Sequence, residues 1–270
     1  MAITKVTSEV LENNVTIAGN LDASSGTIKL DGNYPTGTEN VALGNGALDD
    51  GSLSGDYNTA IGNNSLTANT SGNRNVGVGD GSLEGNTTGA NNVAIGRAAV
   101  DANTTGSFNV GIGTSALGSN TTASNNVGVG YFALTANTTG AENTAVGQNA
   151  MGVNTTGSSN VAVGQGSLES NTTATANTAV GHDSLKNNTT GAENVAVGKG
   201  ALTGNTTANH NTAVGRSSLN ANTTGYQNTS VGRSALAANT TANNNSALGY
   251  YALTANTTGE NNTAIGASSL

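Results

Sequence analysis

Three basic residues, Lys199, Arg216 and Arg233, follow one another at intervals of seventeen positions in this 270-residue chain. If the intervening residues fold identically, the three cations lie above one another and could bind an anionic glycan or a phosphate through charge-assisted hydrogen bonds. The alternatives are three solvated side chains, or ion pairs with acids across a chain boundary, and these alternatives are favoured.

Two pairs of adjacent aromatic residues have the same kind of spacing. Tyr131–Phe132 and Tyr250–Tyr251 are separated by seven intervals of seventeen residues. Exposed aromatic rings can bind sugars through their apolar faces. Filling a gap between neighbouring chains is the favoured interpretation of both pairs.

Other chemically active residue types are sparse or poorly placed. His182 and His210 have no neighbouring ligands, and Asp is too infrequent in the turns for a repeated Ca²⁺ site. The stretch "GVGDGSLEG" near Gly77 is not followed by a helical pattern, so it does not indicate a nucleotide loop. No Ser–His–Asp or paired-carboxylate arrangement is present. The sequence therefore predicts no enzyme activity, no metal site and no cofactor.

Composition argues against further classes of function. The net charge of −8 disfavours nucleic acid as a partner. The motif "NTT" matches the N-glycosylation sequon about once per repeat, but a stacked turn is the favoured interpretation. No apolar stretch approaches the roughly 20 residues that span a bilayer, and the start "MAITKVTSEVLENN" lacks the apolar core of a signal peptide. We therefore expect synthesis in a cytoplasm without membrane insertion.

The seventeen-residue spacing extends through most of the chain. One glycine recurs fourteen times, with a first interval of eighteen residues and later intervals of seventeen. These invariant glycines are Gly44, Gly62, Gly79, Gly96, Gly113, Gly130, Gly147, Gly164, Gly181, Gly198, Gly215, Gly232, Gly249 and Gly266. We call each repeat a rung, so residues 40–270 contain about fourteen rungs.

Equivalent positions of successive rungs hold the same residue types. Four places before the invariant glycine is always Asn, as at Asn194, and one place before it is always Val, Ile or Leu, as at Val197. Two places before it is only Ala, Gly or Ser. Four places after it is Leu in twelve rungs, as at Leu202, and seven places after it is Asn in twelve rungs, as at Asn205.

This pattern predicts the fold. The pentapeptide "NVAVG" alternates like a β-strand, with Val195 and Val197 on one side and Ala196 on the other. A second short extended piece around "AL" is expected to direct Leu202 inward. No rung has the apolar spacing of a helix. Stacking the rungs about 4.8 Å apart predicts an all-β parallel β-solenoid, or β-roll, with two strands per rung. Its structural ladder is expected to consist of the columns of Asn194, Val197, Gly198, Leu202 and Asn205.

Two glycine columns of the repeat behave differently. The column of Gly198 is never replaced, so it is expected to need a positive φ or a very close backbone approach. The column of Gly191, in "NTTG", becomes Ala in four rungs. That turn therefore does not require a left-handed residue.

A single thin coil has little apolar surface to bury, because only 3% of the chain is aromatic. The invariant small residues two places before the glycine would allow another backbone surface to approach closely. We therefore expect several solenoids packed side by side, and three is the expected number.

The motifs "NVAVGxxAL" and "NTAVGxxSL" resemble the YadA-like head repeat of trimeric autotransporter adhesins. The resemblance implies a left-handed parallel β-roll with one turn per repeat, packed as a homotrimer. The extra "NTTG" turn departs from that family, as does the lack of a secretion signal and a C-terminal membrane barrel. The longer pattern "NTAVGxxALxxNTTGxxN" is more similar to fibre proteins of tailed phages, especially marine ones, which implies a virion component released by lysis.

The chain divides into two parts. Residues 1–39 lie outside the repeat and are expected to attach the fibre to other virion proteins and to nucleate the trimer. The first rung, residues 40–57, lacks "NTT" and carries Asp49, Asp50 and Asp56, as expected for a terminal cap.

The leading functional hypothesis is a structural fibre of a phage particle. Such a fibre would contribute to host attachment, with a surface glycan as one candidate partner, or would present a receptor-binding partner. Because the last rung stops at Leu270 in the inward Leu column, another virion protein or the three chain ends are expected to cover its face. The alternative is an ice- or glycan-binding extracellular adhesin. Ice-binding faces usually carry Thr-x-Thr on one side of a flat strand, whereas the adjacent Thr residues of "NTT" should point to opposite sides. A depolymerase ranks third.

Overall fold

A computed structural model describes residues 38–270. In this part of the chain, fourteen three-residue strands form one parallel sheet in sequence order. The strands are β1 Val41–Leu43, β2 Thr59–Ile61, β3 Val76–Val78, β4 Val93–Ile95, β5 Val110–Ile112, β6 Val127–Val129, β7 Thr144–Val146, β8 Val161–Val163, β9 Thr178–Val180, β10 Val195–Val197, β11 Thr212–Val214, β12 Thr229–Val231, β13 Ser246–Leu248 and β14 Thr263–Ile265. Each rung contributes one strand, which confirms the predicted parallel β-solenoid with seventeen-residue spacing.

The strands are held in a constant register. Val195 pairs with Thr212 and Ala196 with Ala213, an offset of one full rung. In the first rung the offset is eighteen residues, because Val41 pairs with Thr59. Every equivalent side chain therefore lies directly above the one before it, as stacked parallel strands require.

The second strand expected in each rung is absent from the described residues, and that prediction is wrong. The segment around "AL" is a turn in which Gly200 has φ +67° and Leu202 has φ +51°. Both values lie in the left-handed region, which breaks an extended chain. Leu202 is nevertheless fully buried, so its inward orientation is confirmed.

The strand alternates as predicted, but its two faces are reversed relative to the expectation. Ala196 is fully buried, whereas Val195 is 36% exposed and Val197 is partly exposed. The small column therefore faces the interior of the coil. It is not available to another chain, and the Val197 column does not belong to the interior of the coil.

The physical reason for this reversal is lack of space. A Cβ added at Gly128, two places before an invariant glycine, would lie 3.2 Å from Cγ of Leu117. At Gly111 it would lie 2.5 Å from Cγ2 of Val100. The Leu column already fills the opposite wall at close-packed density, so only Ala, Gly or Ser fits across from it.

Two ladders of buried asparagines complete the interior. Nδ2 of Asn194 and Nδ2 of Asn205 both donate to the carbonyl oxygen of Ala208, at 2.8 and 3.0 Å. Asn205 also donates to Oδ1 of Asn188 at 2.8 Å, and the backbone N–H of Asn194 donates to Oδ1 of Asn177 at 2.9 Å. Each amide thus links its own turn to the rung below, which satisfies polar groups that would otherwise be costly to bury.

The invariant glycine has the backbone conformation that its column predicts. Gly198 has φ +132°, and a Cβ there would lie 2.7 Å from the backbone C and O atoms of Gly215. Both the left-handed backbone and the close approach exclude a side chain. A Cβ at Gly191 would clash with the carbonyl oxygen of Ala208 even more closely. Gly191 lies outside the left-handed region, so the backbone conformation is what distinguishes the two columns.

The ends of the repeat are less regular. The predicted attachment segment, residues 1–39, lies outside the described residues except for its last two positions. In the first rung Oδ1 of Asp56 accepts the N–H of Thr38 at 2.6 Å, and Leu48 is buried. At the other end Leu270 is 90% exposed.

Residues 38–270 contain no helix long and apolar enough to cross a bilayer.

Candidate functional site

The first surface that could bind a partner is the outward face of the sheet. We call it the strand ridge, and it consists of the first and third side chains of every strand. The third residue is Val, Ile or Leu in all fourteen strands, and the first is Val in seven of them and Thr or Ser in the rest. Exposure on the ridge is substantial, for example 40% at Ile95 and 50% at Leu248.

The strand ridge runs through all fourteen strands. Thirteen steps of about 4.8 Å give a ridge of about 62 Å from β1 to β14. Soluble monomers seldom expose a continuous apolar surface of this extent. The ridge therefore has the character of an interaction surface.

The second surface is the cation column, which we define as Lys199, Arg216 and Arg233. All three side chains are exposed, and each follows an invariant glycine at the end of a strand. Backbone hydrogen bonds stack them, because the N–H of Ser217 donates to the carbonyl of Lys199 and the N–H of Ser234 to that of Arg216, both at 2.9 Å. The structure thus brings together the three cations that their spacing places in one column.

Aromatic rings adjoin one end of this column. The guanidinium carbon of Arg233 lies 5.6 Å from the ring centroid of Tyr250 and 5.8 Å from that of Tyr251. The two tyrosine rings meet edge to face at 4.4 Å. At these distances the two rings attract the Arg233 guanidinium, an interaction worth about 0.5–1 kcal/mol at an exposed site.

The other aromatic pair has different neighbours. Tyr131 and Phe132 also meet edge to face, with centroids 4.1 Å apart, and Tyr131 is 50% exposed. The residues one rung before and after Tyr131 in its column are Thr114 and Gln148. The structure does not bring this pair near the cation column, because four rungs separate Tyr131 from Lys199, the nearest cation of the column.

The ionic contacts nearest the cation column in the chain involve Lys186 and His210. Nζ of Lys186 lies 3.0 Å from Oδ1 of Asp183 and 3.3 Å from Oε2 of Glu169. Hydrogen bonds to Asp183 and then Glu169 raise the pKa of Lys186. Glu193 pairs with Nδ1 of His210 at 3.2 Å. Within residues 38–270, by contrast, no ion pair involves Lys199, Arg216 or Arg233.

The sequence reasoning missed two features of this surface. Residues 194–259 contain no Asp or Glu, so the cation column lies in a stretch without carboxylates. His182 occupies the same column one rung before Lys199. Aligning the charged residues by their position within the rung would have revealed both features.

The two Thr residues of the "NTT" turn differ in their contacts. Oγ1 of Thr189 donates to the carbonyl oxygen of the next rung's Thr206 at 3.0 Å, while Thr190 is exposed. Only one of the two Thr columns therefore presents free hydroxyl groups to solvent. Among residues 38–270, no group of three or more His, Cys, Asp or Glu side chains could hold a metal ion.

No protein-family model matches this chain, and neither the curated proteins nor the solved structures gave a match.

Proposed function

We propose that this chain forms the shaft of a fibre on a phage particle, in which three parallel copies pack through their strand ridges. The observation that carries the proposal is the unbroken aliphatic column on the third residue of all fourteen strands. Such a column, left in water, favours association because burial of apolar surface is the main driving force.

A second copy of the same chain is the partner that fits the strand ridge best. The ridge repeats at the rise of one rung along its whole length, and another stack with the same rise keeps side chains in contact over that length. A globular partner would match only a few rungs. The even distribution of Val, Ile and Leu over all rungs therefore favours self-association in register.

Three copies suit the shape of the ridge. The ridge is only two side chains wide, so several copies can place their ridges side by side around a common axis. Around a three-fold axis each aliphatic side chain of the third strand position would contact two neighbouring copies. The resemblance to trimeric adhesin heads and phage fibres, noted above from the motifs, supports the same number.

Mass measurement of the intact protein tests the assembly. We expect a species of about 79 kDa, three times the chain mass of 26.3 kDa. The double substitution Val163→Lys and Val180→Lys places two charges on the ridge and is expected to yield monomer. The control Thr190→Lys adds a charge on an exposed turn and should leave the trimer intact. A folded monomer of the unsubstituted chain would contradict the packing.

Localisation tests the fibre assignment. Antibodies raised against the repeat region should label intact particles at an appendage, where the N-terminal segment would join it to other virion proteins. Labelling confined to host lysate, with none on purified particles, would show that the chain is not a virion component.

A further inference from the structure

We infer that the cation column, together with Tyr250, binds a linear glycan that carries sulfate or carboxylate groups. Four exposed side chains occupy successive rungs of one column: Lys199, Arg216, Arg233 and Tyr250. This site is separate from the strand ridge, so it goes beyond the proposed role of the ridge in assembly. Its chemistry is that of anion recognition by ammonium and guanidinium groups.

The three cations have no internal carboxylate to neutralise them. Residues 194–259 contain no Asp or Glu, and the flanking acids already have partners, since Glu193 contacts His210 and Oε1 of Glu260 accepts a hydrogen bond from Asn243. In an in-register assembly, every neighbouring copy presents the same carboxylate-free stretch at this height. If the copies pack in register as in the proposed function, ion pairing across the chain boundary does not explain the column.

One cation of the column, Arg233, has partners that restrict its side chain. Arg233 lies against both tyrosine rings, and its Nη1 lies 3.4 Å from the hydroxyl of Tyr250. Restriction of a long side chain before binding lowers the entropic cost of binding a ligand. Tyr250 is 49% exposed, so part of its ring remains free to stack on a sugar.

The geometry favours a glycan over a nucleic acid. The cations form a row with a step of about 4.8 Å, which is comparable to the length of one sugar residue in an extended polysaccharide. The phosphates of a duplex wind around its axis, so a row of three cations on one face meets only a few of them, and non-specific binding to nucleic acid depends on many such contacts. The net charge of −8 opposes binding of a long nucleic acid further.

The experiment uses the full-length chain and heparin, a sulfated linear glycan, with dextran as the uncharged comparison. We expect heparin to bind and dextran not to bind, with log affinity falling against log salt concentration at a slope of about −2 to −3 for three contacts. Arg216→Gln should weaken heparin binding about threefold, and replacing all three cations with Gln about twentyfold or more. The matched control is Arg97→Gln, an exposed cation of the same column six rungs before Lys199, which should change the affinity less than twofold.

Three results would overturn the inference. The first is unchanged heparin affinity in the triple variant at an unchanged melting temperature. The second is an equal loss in Arg97→Gln, which would indicate general electrostatics. The third is tighter binding of a single-stranded oligonucleotide than of heparin, which would identify a nucleic-acid surface. Native mass of the same samples reports assembly separately, so heparin binding with a monomeric mass would contradict only the packing proposal.

Discussion

Residues 38–101 and residues 194–259 of this protein share one backbone and one interior, yet their surfaces carry opposite charge. The earlier stretch contains seven carboxylates and two cations, and the later one contains three cations and no carboxylate. The seven carboxylates are those of Glu39, Asp49, Asp50, Asp56, Asp80, Glu84 and Asp101. In both stretches the buried columns are Leu, Asn and small residues with near-zero exposure.

This comparison separates what specifies the fold from what specifies the surface. The interior columns tolerate almost no variation, because Leu, Asn and the invariant glycine contact their own copies one rung away. The exposed columns contact mainly solvent, so a charge there changes binding without changing the stack. Substitutions inside the coil should therefore reduce the free energy of unfolding equally in both stretches. Charge substitutions on the surface should change binding differently in the two stretches.

The largest expected effect is at the invariant glycine. Gly96→Val and Gly198→Val each place a β-branched side chain at a φ near +130° and within 2.8 Å of backbone atoms of the next rung. We expect each to reduce the free energy of unfolding by about 4 kcal/mol or more. Melting curves followed by circular dichroism provide the measurement. If only one of the two variants were less stable, the interiors of the two stretches would not be equivalent.

The matched control for this substitution is Gly191→Ala. Its Cβ would clash with the carbonyl oxygen of Ala208 unless the backbone shifts, but the same column already holds Ala at Ala123 and Ala174. The chain therefore adjusts at this turn, and we expect a much smaller loss than for Gly198→Val. Equal melting temperatures for the two variants would show that the invariant column has no special backbone role.

The sequence predicted the stacked fold because every rung repeats the same constraints. Asn194, Gly198 and Leu202 could be assigned to the interior or to a strained backbone from their columns alone. The inward face of the strand could not be assigned in this way, since alternation separates Val197 from Ala196 without showing which one is inside. Volume decides that question: the Leu column leaves room only for the smaller side chain.

The turn around Leu202 was also beyond prediction from the sequence. Non-glycine residues seldom adopt a positive φ, so an apolar "AL" pair is more readily taken for a strand. Here the left-handed backbone of Leu202 is maintained by full burial of its side chain. On the surface, the column of Lys199, Arg216 and Arg233 followed from spacing, while the contact of Arg233 with the tyrosine rings required coordinates.

The second prediction concerns the asparagine ladder. Asn103→Ala and Asn205→Ala each remove two donated hydrogen bonds, which for Asn205 reach Asn188 and Ala208. Oδ1 of Asn188 then loses its donor in a buried site, and we expect a loss of about 2–3 kcal/mol of unfolding free energy. The exposed Asn187→Ala serves as control and should cost little. If the two ladder variants melt differently, the interiors of the two stretches are not equivalent.

The smallest expected effect is at Asp101, in the acidic stretch. Its side chain is partly buried, and desolvation raises its pKa above the ordinary value of 3.8. Folding therefore disfavours the ionised form, and this unfavourable contribution is present at neutral pH. It disappears as the pH falls through the raised folded-state pKa towards 3.8, below which the carboxyl is protonated in both the folded and unfolded states.

Asp101→Asn should accordingly melt at a slightly higher temperature than the unsubstituted chain at pH 7, and the difference should vanish below about pH 3.8. Melting curves between pH 7 and pH 3 provide the measurement, with the exposed Glu39→Gln as control for the general loss of one negative charge. A higher melting temperature for both variants would attribute the gain to relief of repulsion across the acidic stretch. A lower melting temperature for Asp101→Asn at pH 7 would mean that the ionised carboxylate supports the fold, so that charge on this surface is not independent of the stack.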